Sequence, residues 1–193
     1  MKILLNFLAV VLVLSACNNP AADEKNNVAN TEAAEQKFFP VTSFLKGEIF
    51  EIKKSGINPL KYTTVNNHTD SVWLKIEDID NTVKEFLTPE IDSANLITLF
   101  TEKSFLDQSI NAITLTYDAN GPLPDSMKLK HWDIYIDPET QKIKRIYMVK
   151  EISRSTTLQL TWVSRQWCKI TTIVTDKAGV SSVDKEEKLN WDF

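Results

Sequence analysis

Glycine, histidine and cysteine are scarce in this sequence of 193 residues, and these shortages exclude several kinds of site. Four scattered glycines disfavour a phosphate-binding loop, and neither a P-loop nor a G-x-G-x-x-G motif is present. The two histidines, His68 and His131, stand 63 positions apart without metal-binding spacing to a carboxylate. G-x-S-x-G and H-E-x-x-H motifs are missing as well. The sequence therefore predicts a protein that is not an enzyme and needs no metal or cofactor.

The long apolar run of the sequence lies at its amino terminus. Lys2 gives a positive start, and residues 3–14 are almost entirely apolar. A membrane-spanning helix needs about 20 predominantly apolar residues. The run is shorter than that, so it predicts an export signal rather than an anchor.

The export signal ends in Leu14-Ser15-Ala16-Cys17, which resembles the lipobox of bacterial lipoproteins of the Bacteroidetes type. In that family a dedicated peptidase cuts before the cysteine, which carries a diacylglyceryl thioether and usually an N-acyl chain such as palmitate. The resemblance implies that residues 1–16 are a signal peptide and that Cys17 is lipidated, with a membrane as its partner. An ordinary secretory signal with a chance cysteine is the alternative. Several acyl chains give a stable anchor, because each buried CH₂ contributes about 0.8 kcal/mol.

The residues that follow Cys17 bear on where the anchor sits. Asn18 differs from the Asp that resembles an inner-membrane retention signal, and Asp23-Glu24 stands later than the acidic residues of the Bacteroidetes pattern for surface export. The resemblance therefore implies attachment to the outer membrane, on its periplasmic face. Residues 17–37 contain no aromatic residue and one branched apolar residue, Val28, so they are predicted to form a disordered tether.

Composition changes at Phe38, and residues 38–193 have the size of a single domain. Helical spacing predicts a first helix over 41–54, a short second helix capped by Asp78 and a third helical stretch around 96–100. Strands are predicted at 60–65 and 71–76. From residue 113 the apolar pattern alternates, which predicts an antiparallel meander of about six strands. The fold class is α+β, with N-terminal helices packed on a curved antiparallel sheet.

The chain is organised around His131–Lys150, whose pattern predicts a central β-hairpin with a turn at Asp137-Pro138. If Ile136 stands opposite Ile143, strict alternation places Trp132 on one face of this hairpin.

Alternation then places Tyr135, Ile146 and Met148 together on the other face. Helices cover a single face, so the second face has to be closed by curvature toward a half-barrel, by a ligand or by a partner. These three side chains are therefore predicted to bound an apolar groove.

Other apolar residues are assigned to the core. Trp132, Trp162 and Trp191 fall on alternating apolar positions, which favours burial over a carbohydrate platform. Cys168 stands in a strand pattern and, with Cys17 lipidated, has no disulfide partner, so it is predicted to be a buried thiol. The last strand, residues 185–193, has one apolar and one charged face, which predicts a place near a sheet edge.

Three short motifs, each an Asp followed by Ser and an apolar residue, resemble the O-glycosylation acceptor of Bacteroidetes-type exported proteins. The acceptors would be Ser71, Ser93 and Ser126. Turn ends and helix caps explain the same Asp-Ser pairs equally well.

Two functions from different classes are consistent with these patterns. The first is a lipid-anchored, non-enzymatic protein of the cell envelope that binds an apolar ligand or an envelope partner through the curved sheet face. Helices on an antiparallel sheet are similar to the lipoprotein-carrier fold, which holds acyl chains inside a half-barrel. The alternative is a structural or interaction lipoprotein of an envelope complex, without a small-molecule ligand. A formal net charge of -4 argues against nucleic acid as a partner.

Overall fold

Antiparallel strands predominate in the computed structural model of the protein, which describes residues 37–191. Short 3₁₀ turns at Ile76–Asp78 and Lys84–Phe86 accompany the helices and strands. In chain order these are α1 (Val41–Ser55), β1 (Leu60–Val65), β2 (His68–Trp73), α2 (Ile79–Thr82), β3 (Phe100–Asp107), β4 (Ala112–Ala119), β5 (Leu129–Ile136), β6 (Ile143–Ser153), β7 (Thr156–Val163), β8 (Trp167–Thr175) and β9 (Ser181–Asn190). Neither helix of this range has the length and apolar character that crossing a bilayer requires.

The nine strands of residues 37–191 form one open antiparallel sheet in the order β2-β1-β9-β8-β7-β6-β5-β4-β3. β3 to β9 follow one another as a meander, and the β1–β2 hairpin pairs with β9. Asn66-Asn67 closes this hairpin with φ angles of 49° and 62°, as a type I′ turn requires. The prediction that strand 185–193 lies near an edge was wrong, because β1 covers that side of β9. The edges are β2 and β3.

α1 confirms the helix predicted over 41–54. Its buried stripe consists of Val41, Leu45, Ile49 and Ile52, which recur at helical spacing. Gly56 ends the helix in the left-handed conformation (φ 69°), and its N–H donates to the Lys53 carbonyl. Glycine adopts this conformation without a steric penalty from Cβ, which explains the stop.

The helix stripe and the segment 76–99 pack on one side of the sheet, which we call the inner face. Phe38 lies 6.1 Å from Trp132, and Phe86 lies 5.4 Å from Trp162, between ring centroids. Each fully buried large apolar side chain contributes about 1.5–3 kcal/mol, so this layer accounts for much of the folding free energy. The register places on the inner face Trp132, Ile134, Ile146, Met148, Leu160, Trp162, Cys168 and Leu189.

The structure has fewer helices than the sequence predicted. Asp78 makes no side-chain capping bond, and α2 is a single turn. The predicted helical stretch around 96–100 consists of turns that lead into β3, which begins at Phe100. β2 also begins three residues earlier than predicted, because the turn between β1 and β2 consists of only two residues, Asn66 and Asn67. The antiparallel sheet is confirmed, and it makes up most of the described chain.

A β-bulge in the central hairpin changes which side chains share a face. Ile136 pairs with Ile143, the register that the groove prediction assumed, but Tyr135 pairs with Arg145. Lys144 is therefore an extra residue on β6, and beyond it the strand presents its opposite set of side chains. The hairpin is internal to the sheet, as predicted.

Candidate functional site

The bulge separates the three residues of the predicted apolar groove. Ile146 and Met148 lie on the inner face, 0% and 1% exposed, where they pack into the core. Tyr135 lies on the opposite face, paired with Arg145. The prediction that these three residues bound one groove was therefore wrong, and the cause is the single residue by which β6 shifts its register.

The sheet face opposite α1, which we call the outer face, is polar and aromatic rather than apolar. Most of its side chains are partly exposed. The register places on it Asp118, His131, Asp133, Tyr135, Arg145, Tyr147, Thr161, Val163, Trp167, Lys169, Glu186 and Lys188.

A connected set of polar side chains crosses β4 and β5 on the outer face. His131 places Nδ1 2.9 Å from Asp118 Oδ1 and Nε2 3.1 Å from Asp133 Oδ1. Lys103 donates to Asp118 across 3.0 Å, and Thr116 donates to Asp133 across 2.6 Å. The Asp133 carboxylate, with 12% of its side chain exposed, thus has its polar atoms satisfied from several sides.

The pKa values of this cluster follow from the geometry. A hydrogen bond to Asp133, together with the charges of both carboxylates, raises the pKa of His131. A hydrogen bond from Lys103 lowers the pKa of Asp118. Burial acts to raise the pKa of Asp133, but hydrogen bonds from His131 and Thr116 hold it below its usual value. Both imidazole nitrogens of His131 lie within hydrogen-bond distance of a carboxylate oxygen, which fixes the position of the ring between Asp118 and Asp133.

Tyr135 and Arg145 on the outer face are positioned by contacts to this cluster. The Tyr135 hydroxyl donates to Asp133 Oδ2 across 3.2 Å, and the Arg145 guanidinium lies 3.9 Å from the Tyr135 ring centroid. Further along the same face, the Lys188 ammonium lies 4.7 Å from the Trp167 ring centroid. A pocket of about 300 Å³ opens between Asp133, Tyr135, Arg145, Tyr147 and Thr161.

A larger apolar groove of about 630 Å³ lies beside α1, away from the outer face. Phe50 and Ile57 are 62% and 46% exposed on its walls. Its polar rim includes Glu48, whose carboxylate accepts from the Arg165 backbone N–H (2.8 Å). The groove is lined by Ser43, Phe44, Gly47, Glu48, Phe50, Glu51, Ile52, Ser55, Ile57, Arg165 and Trp191.

The tryptophans and Cys168 can be placed individually. Trp132 and Trp162 are fully buried, as predicted, whereas Trp191 is partly buried and lines the groove beside α1. Cys168 is a buried free thiol, as predicted, and burial raises its pKa. It lies on the inner face while His131 lies on the outer face, so the two do not form a nucleophile–base pair.

The three candidate glycosylation sites lie on different elements of the fold. Ser71 is exposed on the edge strand β2, and Ser126 is exposed in the connection between β4 and β5. Ser93 is partly buried after Asp92, whose carboxylate accepts from the N–H of Ala94 and Asn95. Their modification stays a prediction. Cys17 lies outside the described residues.

Sequence reasoning missed the outer-face cluster, although one signal was visible. His131, Asp133 and Tyr135 alternate with Trp132 and Ile134, which predicts polar side chains on one face of β5 and apolar side chains on the other. Their partners, by contrast, come from β4 and β6, and short-range patterns do not show which residues stand opposite.

Within residues 37–191, no group of three or more His, Cys, Asp and Glu side chains is arranged to hold a metal ion. Comparison with known proteins adds no family to these observations: the chain matches no family model, no curated protein and no solved structure.

Proposed function

We propose that the protein is a lipid-anchored, non-enzymatic component of the cell envelope that binds a protein partner through the outer face of its sheet. The observation that carries this proposal is the set of partly exposed Tyr135, Arg145, Tyr147 and Trp167 on that face. Tyrosine, tryptophan and arginine are the residues that contribute most binding free energy in protein interfaces.

The packing of the inner face also favours the outer face as the binding surface. Its side chains are buried against α1 and the segment 76–99, so bound acyl chains would have to displace the folded core. The outer face, which α1 and this segment leave uncovered, suits docking of a partner better than storage of an apolar ligand.

The anchor belongs to the same proposal. Lipidation of Cys17 would attach the chain to the periplasmic face of the outer membrane, and residues 18–37 would form the tether. A flexible segment of twenty residues averages roughly 25 Å from end to end. The domain would therefore reach partners near the membrane surface.

Photo-crosslinking in intact cells tests the outer face. A benzophenone amino acid at Tyr147 should give one discrete protein adduct, whereas the same group at Val180, 63% exposed in the turn between β8 and β9, should not. Tyr135→Ala should weaken the adduct, and Phe50→Asp on α1 should leave it unchanged. Equal adducts at both positions, or none at Tyr147, would overturn the proposal.

The groove beside α1 favours a second candidate function, the binding of a small apolar ligand. Its volume of about 630 Å³ lies within the range of about 300–1,000 Å³ that small-molecule pockets occupy. Phe50→Asp should abolish binding of an apolar fluorescent dye. Val183→Asp, which replaces an apolar side chain of similar exposure on β9, should not. Equal dye binding by both variants would exclude the groove as the site.

A further inference from the structure

A small pocket of about 210 Å³ opens on the outer face beside the bulge of β6. Its floor is apolar, and two of its walls are cations, Lys144 and Arg145. Its lining residues are Ile110, Ala112, Tyr135, Lys144, Arg145 and Val163, and no carboxylate is among them. We call this site the Arg145 pocket.

The positive charge of Arg145 is only partly balanced. Among residues 37–191, no carboxylate forms an ion pair with Arg145: Asp133 lines the adjoining pocket of about 300 Å³ together with it, but is itself bound by His131, Thr116 and Tyr135. The Lys144 ammonium donates to the Asn111 carbonyl across 3.4 Å and attracts the Asp137 carboxylate of the β5–β6 turn at longer range. The pocket therefore presents an Arg145 guanidinium that contacts Tyr135 and forms no ion pair within residues 37–191.

The guanidinium is also held in place. It lies 3.9 Å from the Tyr135 ring centroid, and Tyr135 is fixed through its hydroxyl to Asp133. Asp133 is in turn held by His131 and Thr116. An arginine ordered before binding loses less entropy when it forms a bidentate pair with a carboxylate.

We propose that the Arg145 pocket binds a glutamate or aspartate side chain of the protein partner, with the carboxylate on Arg145 and the methylene groups against Ile110 and Val163. This inference rests on the proposed function and names the chemical group that the partner presents. The volume of about 210 Å³ falls below the usual range for small-molecule pockets, about 300–1,000 Å³, and suits a single side chain.

The probe for this inference is the dipeptide acetyl-leucyl-glutamic amide, compared with acetyl-leucyl-glutamine amide. Binding is followed by NMR on the Ile110 methyl and Arg145 Nε signals. The glutamate peptide should bind at least about tenfold more tightly than its glutamine analogue, because a charge-assisted pair is lost in the analogue. High salt should reduce that difference.

Arg145→Gln should weaken glutamate-peptide binding about tenfold, and Arg145→Lys should weaken it less, since charge is kept but the bidentate pair is lost. The matched control is Arg154→Gln, which removes the same charge from the exposed turn between β6 and β7 and should change nothing. Unchanged melting temperatures show that the variants fold. Equal binding of both peptides, or wild-type binding by Arg145→Gln, would overturn the inference. Tighter binding of hexanoate than of the glutamate peptide would overturn the assignment to a protein side chain.

Crosslinking at Tyr147 separates this inference from the proposed function. Loss of the adduct in Arg145→Gln, with retention in Arg154→Gln, supports both. An adduct that persists in Arg145→Gln overturns the carboxylate inference and leaves the outer face as the binding surface. Absence of any adduct in the wild-type protein overturns the proposed function, and the inference falls with it.

Discussion

A buried ion pair between β6 and the segment 76–99 gives the sharpest test of how the inner face is held. The side chain of Lys150 is 3% exposed, whereas that of its partner Glu85 is 30% exposed. The Lys150 ammonium also donates to the Glu85 carbonyl (3.1 Å) and to Thr88 Oγ1 (3.4 Å). Removing one partner or the other should therefore have unequal consequences.

Glu85→Ala leaves an ammonium group buried without its counter-charge. Breaking a buried pair in this way costs about 3–5 kcal/mol. The Glu85 carbonyl and Thr88 Oγ1 still accept from the ammonium, so the expected loss is about 3 kcal/mol. Lys150→Met keeps the packing of the aliphatic stem and leaves a carboxylate that water can reach. The expected loss is about 1 kcal/mol, because the residual desolvation of that carboxylate is small.

Urea denaturation of a chain lacking residues 1–17 measures both changes as shifts in midpoint at constant m-value. The double variant should be more stable than Glu85→Ala alone, since removing the ammonium removes the buried charge. If Lys150→Met destabilised the protein as much as Glu85→Ala, the difference in burial would not control the energetics, and the reasoning would be refuted.

Three further predictions concern other parts of the chain. Trp132→Ala should cost about 3–5 kcal/mol in the same assay, because Trp132 is fully buried; an unchanged midpoint would contradict its place in the core. The pKa of His131 is raised in the folded state, so the folded protein binds the imidazole proton more tightly than the unfolded chain does. The stabilisation of the fold by protonated His131 is therefore complete below the ordinary pKa of about 6.5 and is lost as pH rises through the folded-state pKa. Stability should fall with pH less steeply in His131→Gln than in the wild type, and an equal slope in the two proteins would contradict the role of this imidazole. Cys17→Ala should release the protein from the outer-membrane fraction, and unchanged fractionation would exclude the proposed anchor.

Local sequence patterns predicted the elements that depend on neighbouring residues. The stripe of α1 recurs every three or four residues, and the inward residues of β7, such as Leu160, recur every second residue. Both patterns arise because each element packs a single apolar face against the core. β3 escaped prediction because its exposed Phe105 and Leu106 stand side by side at a sheet edge, where no core imposes alternation.

The side chains that share the outer face depend on features that local sequence patterns do not show. One extra residue, Lys144, moved Ile146 and Met148 to the inner face and left Arg145 beside Tyr135. A bulge costs little and has no strong sequence signature, so strict alternation gave the wrong face. The groove beside α1 likewise joins Phe50 to Trp191, residues that are distant in sequence and are brought together by the complete fold.

The position of β9 between β8 and β1 has a consequence for the order in which the chain can fold. β1 pairs with β9, so its long-range partner is synthesised only after β2 to β8. A two-stranded hairpin on its own is marginally stable in water, so β1 and β2 have to wait for β9 before they gain a lasting place in the sheet. Contacts between such distant segments slow folding, because a long loop must close first. A chain interrupted before residue 181 would therefore expose β8 as an unpaired edge and carry a hairpin with nothing to join.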